Sequence, residues 1–132
     1  MLTLEEKGII FFIGAIGYGI GEVCFRGYTH WSMLVTGGFC FLVLYIANIR
    51  LEHTKLWKKC ILGAILITCA EFIVGCIVNL WLDWHVWNYS RYKVQFLGQI
   101  CLPFSILWFI ICFPVYKLSS ILHNFSRKYP IK

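Results

Sequence analysis

Long apolar runs separated by short polar clusters set the pattern of this chain. The runs lie near residues 8–25, 32–49, 60–82 and 98–119. Each falls in the range of about 17–25 residues that crosses the hydrocarbon core of a bilayer as a helix. The polar clusters between them are short: residues 26–31, a basic stretch at 50–59, and a longer aromatic stretch at 83–97. Connections this short make consecutive helices antiparallel neighbours. The pattern therefore predicts an all-α integral membrane protein, a four-helix transmembrane bundle forming a single domain over residues 1–132. The amphipathic tail after Ser119 either extends the fourth helix or lies along the membrane surface.

Composition agrees with the pattern. Of 132 residues, 60% are hydrophobic and only 14% charged, and the mean hydropathy is +0.75. A soluble domain of this size cannot bury so much apolar surface, so lipid is part of its solvent. The first run follows residues 1–7 directly, without a small-residue cleavage site, and reads as a retained helix. The net charge of +6 would suit nucleic acid, but its distribution points to the bilayer. Lys7, Arg50, Lys55, Lys58, Lys59, Lys117, Arg127, Lys128 and Lys132 fall on one side of a four-span protein, and only Arg26, Arg91 and Lys93 on the other. That bias places both the N and C termini in the cytoplasm, with the basic residues against anionic headgroups and no nucleic-acid partner.

The motifs of soluble chemistry are missing. There is no phosphate-binding GxxxxGK[ST] loop, nucleophile elbow or pair of catalytic acids, so no enzyme is expected. The seven cysteines are odd in number and lack CxxC spacing, which predicts packing residues and neither a disulfide framework nor a zinc site. His30 and His85 stand singly in turns and read as solvated, and no metal or cofactor is expected.

The informative residues are polar ones inside apolar runs. Glu22 and Glu71 sit at membrane depth, where a carboxylate costs about 2.5–3.5 kcal/mol on insertion scales and so faces a protein interior or a wet cavity. Glu71 is mid-span with no basic residue within two turns, a candidate proton carrier or cation-binding group. Glu22 precedes Arg26 by four residues, the spacing of a helical ion pair. At about 100° per residue, Ala64, Thr68, Glu71, Gly75 and Asn79 share one face of the third helix. Ala15, Gly19, Glu22 and Arg26 share a face of the first, with Tyr18 at its edge. Gly98, Cys101, Ser105, Trp108 and Cys112 share a face of the fourth. Small and polar stripes of this kind mark a seam or a cavity lining. Gly17 and Gly21 add a GxxxG spacing, which predicts close helix approach.

Several of these segments occur in an order similar to one known family. Glu71-Phe-Ile-Val-Gly75, Trp87-Asn-Tyr-Ser90, Gly98-Gln-Ile-Cys-Leu102 and Ser105-Ile-Leu-Trp108 resemble the putative type IV ABC-transporter permease family, as does Gly17-Tyr18 followed by Glu22. The resemblance spans most of the chain. The family's usual Trp-Asp-Tyr-Ser is Trp-Asn-Tyr-Ser here, which removes the loop carboxylate at Asn88. Membership implies a bacterial plasma-membrane transport component, with any ATPase supplied by a separate chain. It points to Glu22, Glu71, Trp87, Tyr89, Ser90, Ser105 and Trp108.

Together these readings predict a permease-type protein that binds a small solute or cation in an outward-facing cavity. The cavity would be lined by helices one, three and four through Glu22, Glu71, Asn79, Trp87, Tyr89, Ser90, Ser105 and Trp108. The rival readings are an assembly subunit whose acids only join helices, and a small exporter or channel that pairs with a second copy of itself.

Overall fold

The structure, a computed structural model, describes residues 2–130; Lys132 of the basic group lies outside them. Four long helices form the body: α1 (Leu4–Arg26), α2 (Trp31–Arg50), α3 (Leu56–Gly75) and α4 (Leu102–Lys128). A π-helical segment, Cys76–Trp81, continues α3, so the third crossing runs over Leu56–Trp81. All four crossings are long and apolar enough to span a membrane. The predicted helical bundle is the observed one, and the tail after Ser119 extends α4.

Local sequence explains where the helices start. Thr3 and Glu6 form a capping box at the head of α1, each side chain bonding the other's backbone amide. His30 Nδ1 accepts from the amide of Ser32 at the head of α2. The fourth helix begins at Leu102, four residues later than the pattern predicts, and Pro103 accounts for the difference. A helix through residue 98 would need an amide hydrogen at position 103 to reach the Gln99 carbonyl, and proline has none. In the first turn of α4 the missing hydrogen costs nothing. Residues 95–101 instead form a small hairpin, β1 (Gln95–Phe96) against β2 (Ile100–Cys101), in antiparallel register Gln95–Cys101 and Phe96–Ile100. Gly98 and Cys101 therefore precede the helix whose face they were expected to share.

The helices pack as two hairpins. α1 lies along α2 and α3 along α4, and the hairpins meet where α2 touches both α3 and α4. A Cβ on Gly38 would stand 2.7 Å from the Phe11 carbonyl oxygen, so glycine permits the close α1–α2 approach. Gly17 and Gly21 do not serve that purpose, contrary to the GxxxG expectation. A Cβ at either would meet no atom of the described residues within 4 Å. α1 turns a different face to α2, and these two glycines leave space. α1 forms no extended seam with α3 or α4. Side chains alone bridge that gap: Ser126 Oγ donates to Glu6 Oε1 (3.1 Å) at the end carrying both termini, and the Tyr18 and Trp108 rings approach to 6.4 Å mid-span.

Two apolar clusters pack in the half of the bundle nearest the termini: Leu44, Cys60, Cys112 and Tyr116 in one, Ile10, Phe41 and Tyr45 in the other. A polar network closes this end. The buried Lys59 Nζ donates to Asn48 Oδ1 at 2.6 Å, Asn48 Nδ2 donates to Ser120 Oγ at 2.9 Å, and the Tyr116 hydroxyl donates to the Lys59 carbonyl at 3.0 Å. A hydrogen bond to a charged group contributes about 1.5–3 kcal/mol, and more is lost when the charge stays buried alone. Replacing Asn48→Leu should destabilise the protein by about 2–3 kcal/mol, read as a lower midpoint of unfolding in detergent. Adding Lys59→Met should recover most of that loss. Equal destabilisation of the single and double variants would remove the network from the account of this end.

Candidate ligand cavity

Because α1 stands away from α3 and α4, a cavity of about 1570 Å³ opens between them, with α2 as its back wall. Its mid-level carries Glu71, 6% exposed, whose Oε2 accepts from Trp108 Nε1 at 2.8 Å. The other carboxyl oxygen, Oε1, is buried and has no hydrogen-bond partner among the described residues. The Tyr89 side chain faces the same carboxyl, without completing a hydrogen bond to Oε1. Tyr89 belongs to the loop, and burial together with the nearby Glu71 holds its phenol far above the usual tyrosine range, so it remains a neutral donor.

Around Glu71 the wall is aromatic. Tyr89 stacks on Phe104 with centroids 4.8 Å apart, and Phe104 lies 6.2 Å from Trp108, which meets Tyr18 across the gap. Glu22 lies above, towards the loop end. Its Oε1 accepts from Arg26 Nη2 at 2.8 Å, while Arg26 Nη1 donates to the Val86 carbonyl at 3.2 Å. This pair neutralises itself and ties α1 to the loop. Below Glu71 the lining is apolar apart from the Cys40 thiol, with Leu44, Ile67, Ile111, Val115 and Leu118.

The loop of residues 82–94 folds back onto the bundle and does not project away from it. Asn79 causes this. Its Oδ1 accepts from the amides of Val86 (2.6 Å) and Trp87 (3.3 Å), and its Nδ2 donates to Gln99 Oε1 (2.8 Å). The wider turn of the π-helical segment carries Asn79 to a buried position, and such segments gather at functional places in helices. Trp87 is buried against Met33 and Val78, and its Nε1 donates to the Gln99 carbonyl at 3.0 Å, the group that Pro103 leaves free. Gly75 provides the seat, since a Cβ there would meet Gln99 Oε1 at 2.7 Å and the Trp87 ring at 2.9 Å.

The geometry also accounts for the Trp-Asn-Tyr-Ser segment. Asn88 Oδ1 accepts from the Ser90 amide at 2.9 Å, a side-chain turn that either an amide or a carboxylate oxygen makes. The Tyr89 amide donates to the Gly98 carbonyl at 2.7 Å, which joins the segment to the hairpin. A carboxylate at position 88 is therefore dispensable for the turn.

Of the residues predicted from sequence, Glu22, Glu71, Asn79, Trp87, Tyr89, Ser90 and Trp108 line this one cavity. Ser90 is exposed at its mouth. Ser105 is not brought to it. Its hydroxyl pairs with Thr68 Oγ1 at 3.0 Å, in the seam between α3 and α4. Two participants escaped the sequence reading. Gln99, 3% exposed, anchors the loop, but the apolar run around it reads as helix. Phe104 is indistinguishable in sequence from the lipid-facing residues beside it. Pro103 carried the signal that moves both.

A covered cavity walled by helices long enough to cross a bilayer defines a multi-pass helical membrane protein. A family model described as putative ABC-transporter type IV matches residues 9–131, and the chain belongs to that family. No curated protein and no solved structure matches the chain.

Replacing Asn79→Leu would leave two loop amides and Gln99 Oε1 unpaired, at about 1–3 kcal/mol for each buried orphan. Hydrogen exchange over residues 84–101 should accelerate markedly while the cores of α2 and α4 stay protected. Unchanged protection in the loop would mean that Asn79 does not hold it.

Proposed function

We propose that the chain is the membrane-spanning component of a transporter and binds a small cationic solute in this cavity from the outer side of the membrane. One observation carries the reading: Glu71 lines the cavity at mid-span, and its Oε1 is buried with no hydrogen-bond partner among the described residues. On the carboxylate this leaves one acceptor oxygen vacant. A ligand N–H would fill it, and the surrounding Tyr18, Tyr89, Phe104 and Trp108 rings suit a cation. The Glu22–Arg26 pair cancels its own charge, which leaves Glu71 as the acid the ligand meets. Trp87, Asn79 and Gln99 are positioning residues in this account, Tyr89 and Trp108 contact the ligand, and Ser90 lies on its entry path.

The charge bias of the loops orients the bundle with both termini in the cytoplasm, so the loop of residues 82–94 is outside. As for other ABC systems, ATP hydrolysis would come from a separate chain, docked on the basic loop between α2 and α3. The rival reading, an assembly subunit, draws support from Ser105 and Asn79, whose side chains are engaged within the protein.

Two measurements test the proposal. Single cysteines at Tyr92 and Lys58 should react with an impermeant maleimide from the outside and from the inside respectively; labelling of Lys58 from outside would overturn the orientation. A hydrophobic carbodiimide, which modifies carboxyls at membrane depth, should label Glu71 in wild-type protein but not in Glu71→Gln. Methylammonium should slow the labelling by about tenfold, the effect of one charge-assisted hydrogen bond. Labelling that is indifferent to monocations would favour the assembly subunit.

A further inference from the structure

The division of the cavity into two halves says more about the ligand than the carboxylate alone. The upper half holds Glu71 and its aromatic walls. The lower half is bounded by side chains from α2, α3 and α4 that, the weakly polar Cys40 thiol apart, offer no hydrogen-bonding group: Leu44, Ile67, Ile111, Val115 and Leu118. From Trp108, which is bonded to Glu71, down to Leu118 is ten residues of one helix, or about 15 Å at 1.5 Å per residue. A small hydrophilic cation would fill the top and leave this depth empty. Apolar space of that length matches an alkyl chain such as dodecyl.

The routes into the cavity differ in the same sense. At the loop end the folded-back segment, held by Asn79, Gln99 and the Arg26–Val86 bond, narrows it to the mouth beside Ser90. Along its side, α1 has no extended seam with α4. The gap there is spanned at mid-height by Tyr18 and Trp108, and Gly17 and Gly21 present no side chain to it. That side faces lipid. A molecule already dissolved in the bilayer reaches Glu71 by passing between two rings, with no loop to displace.

We propose that the cavity binds a single-chain amphiphile with a protonated amine head, admitted sideways from the bilayer between α1 and α4. The amine donates to the Glu71 carboxyl and lies against the Trp108 and Tyr89 rings, and the chain occupies the lower half. This deepens the reading of Glu71 as a cation site and rests on it.

The test is equilibrium binding of radiolabelled dodecylammonium to the full chain in lipid nanodiscs, with empty nanodiscs as the baseline. Methylammonium and dodecyl sulfate serve as comparison ligands. Wild-type protein should bind about one dodecylammonium per chain, at least tenfold more tightly in total concentration than methylammonium, because the bilayer concentrates the amphiphile at the entrance. Dodecyl sulfate should not compete. Glu71→Gln should weaken binding at least tenfold, the loss expected for a charge-assisted bond. Gly17→Leu, which adds volume where a Cβ meets open space, should weaken it comparably while helical content and unfolding midpoint stay unchanged. This second variant leaves Glu71 intact, so the test survives if Glu71→Gln fails to fold. Methylammonium binding as tightly as dodecylammonium, with both lost in Glu71→Gln, would overturn the amphiphile and keep the cation site. Competition by dodecyl sulfate would overturn the amine head. Binding no greater than in empty nanodiscs, for both amines, would overturn this inference and the proposed function together.

Discussion

A polar group at the depth of hydrocarbon must find its partner inside the protein, since lipid offers none. This fold meets that demand pair by pair. Lys59 bonds Asn48, Thr68 bonds Ser105, Asn79 bonds Gln99 and the loop, and Glu22 bonds Arg26. The first three pairs each join two segments, and Arg26 reaches the loop through the Val86 carbonyl, so satisfying the polar groups also builds the tertiary structure. At mid-span the sequence of pairs stops. Glu71, in the cavity lining, satisfies one oxygen with Trp108 and leaves the other buried without a partner among the described residues. The functional account rests on the contrast between that carboxyl and its paired neighbours.

The cavity itself follows from an asymmetry of packing. α1 and α2 approach closely through glycine, and α3 and α4 share the Cys60–Cys112–Tyr116 core. α1 shares no comparable surface with the second hairpin. The glycines that might have closed it there, Gly17 and Gly21, are turned towards the space between. A loop clasped by two buried amides then roofs that space. Asn79, Gln99 and Trp87, which hold the roof, have their side-chain donors and acceptors paired within the described residues.

How much of this was legible in the sequence varies with the physics of each element. Four apolar runs and their short connections dictate the bundle, because membrane thickness leaves little freedom in helix length. The polar stripe on α3 is visible as helical phase, and it correctly brings Glu71 and Asn79 to one side. Phase cannot tell a seam from a cavity, however. Ser105 and the GxxxG pair were each misjudged on that point, in opposite directions, since both outcomes depend on where the neighbouring helix lies. The start of α4 was misplaced because an apolar run hides a hairpin, and only Pro103 marked the boundary. Asn79 was singled out as a polar residue near a helix end, but its role as a clasp depends on the π-helical segment, which has no clear signature in composition or periodicity.

The central claim is that Glu71 is a carboxyl waiting for a donor that arrives from outside the protein. Infrared difference spectroscopy reads it most directly, by recording the carboxyl bands of membrane-embedded protein before and after an alkylammonium is added. The account predicts a ligand-induced change in a carboxyl band that is present in wild-type protein and missing in Glu71→Gln. Carboxyl bands that do not respond to the ligand, or a response that persists in Glu71→Gln, would contradict it.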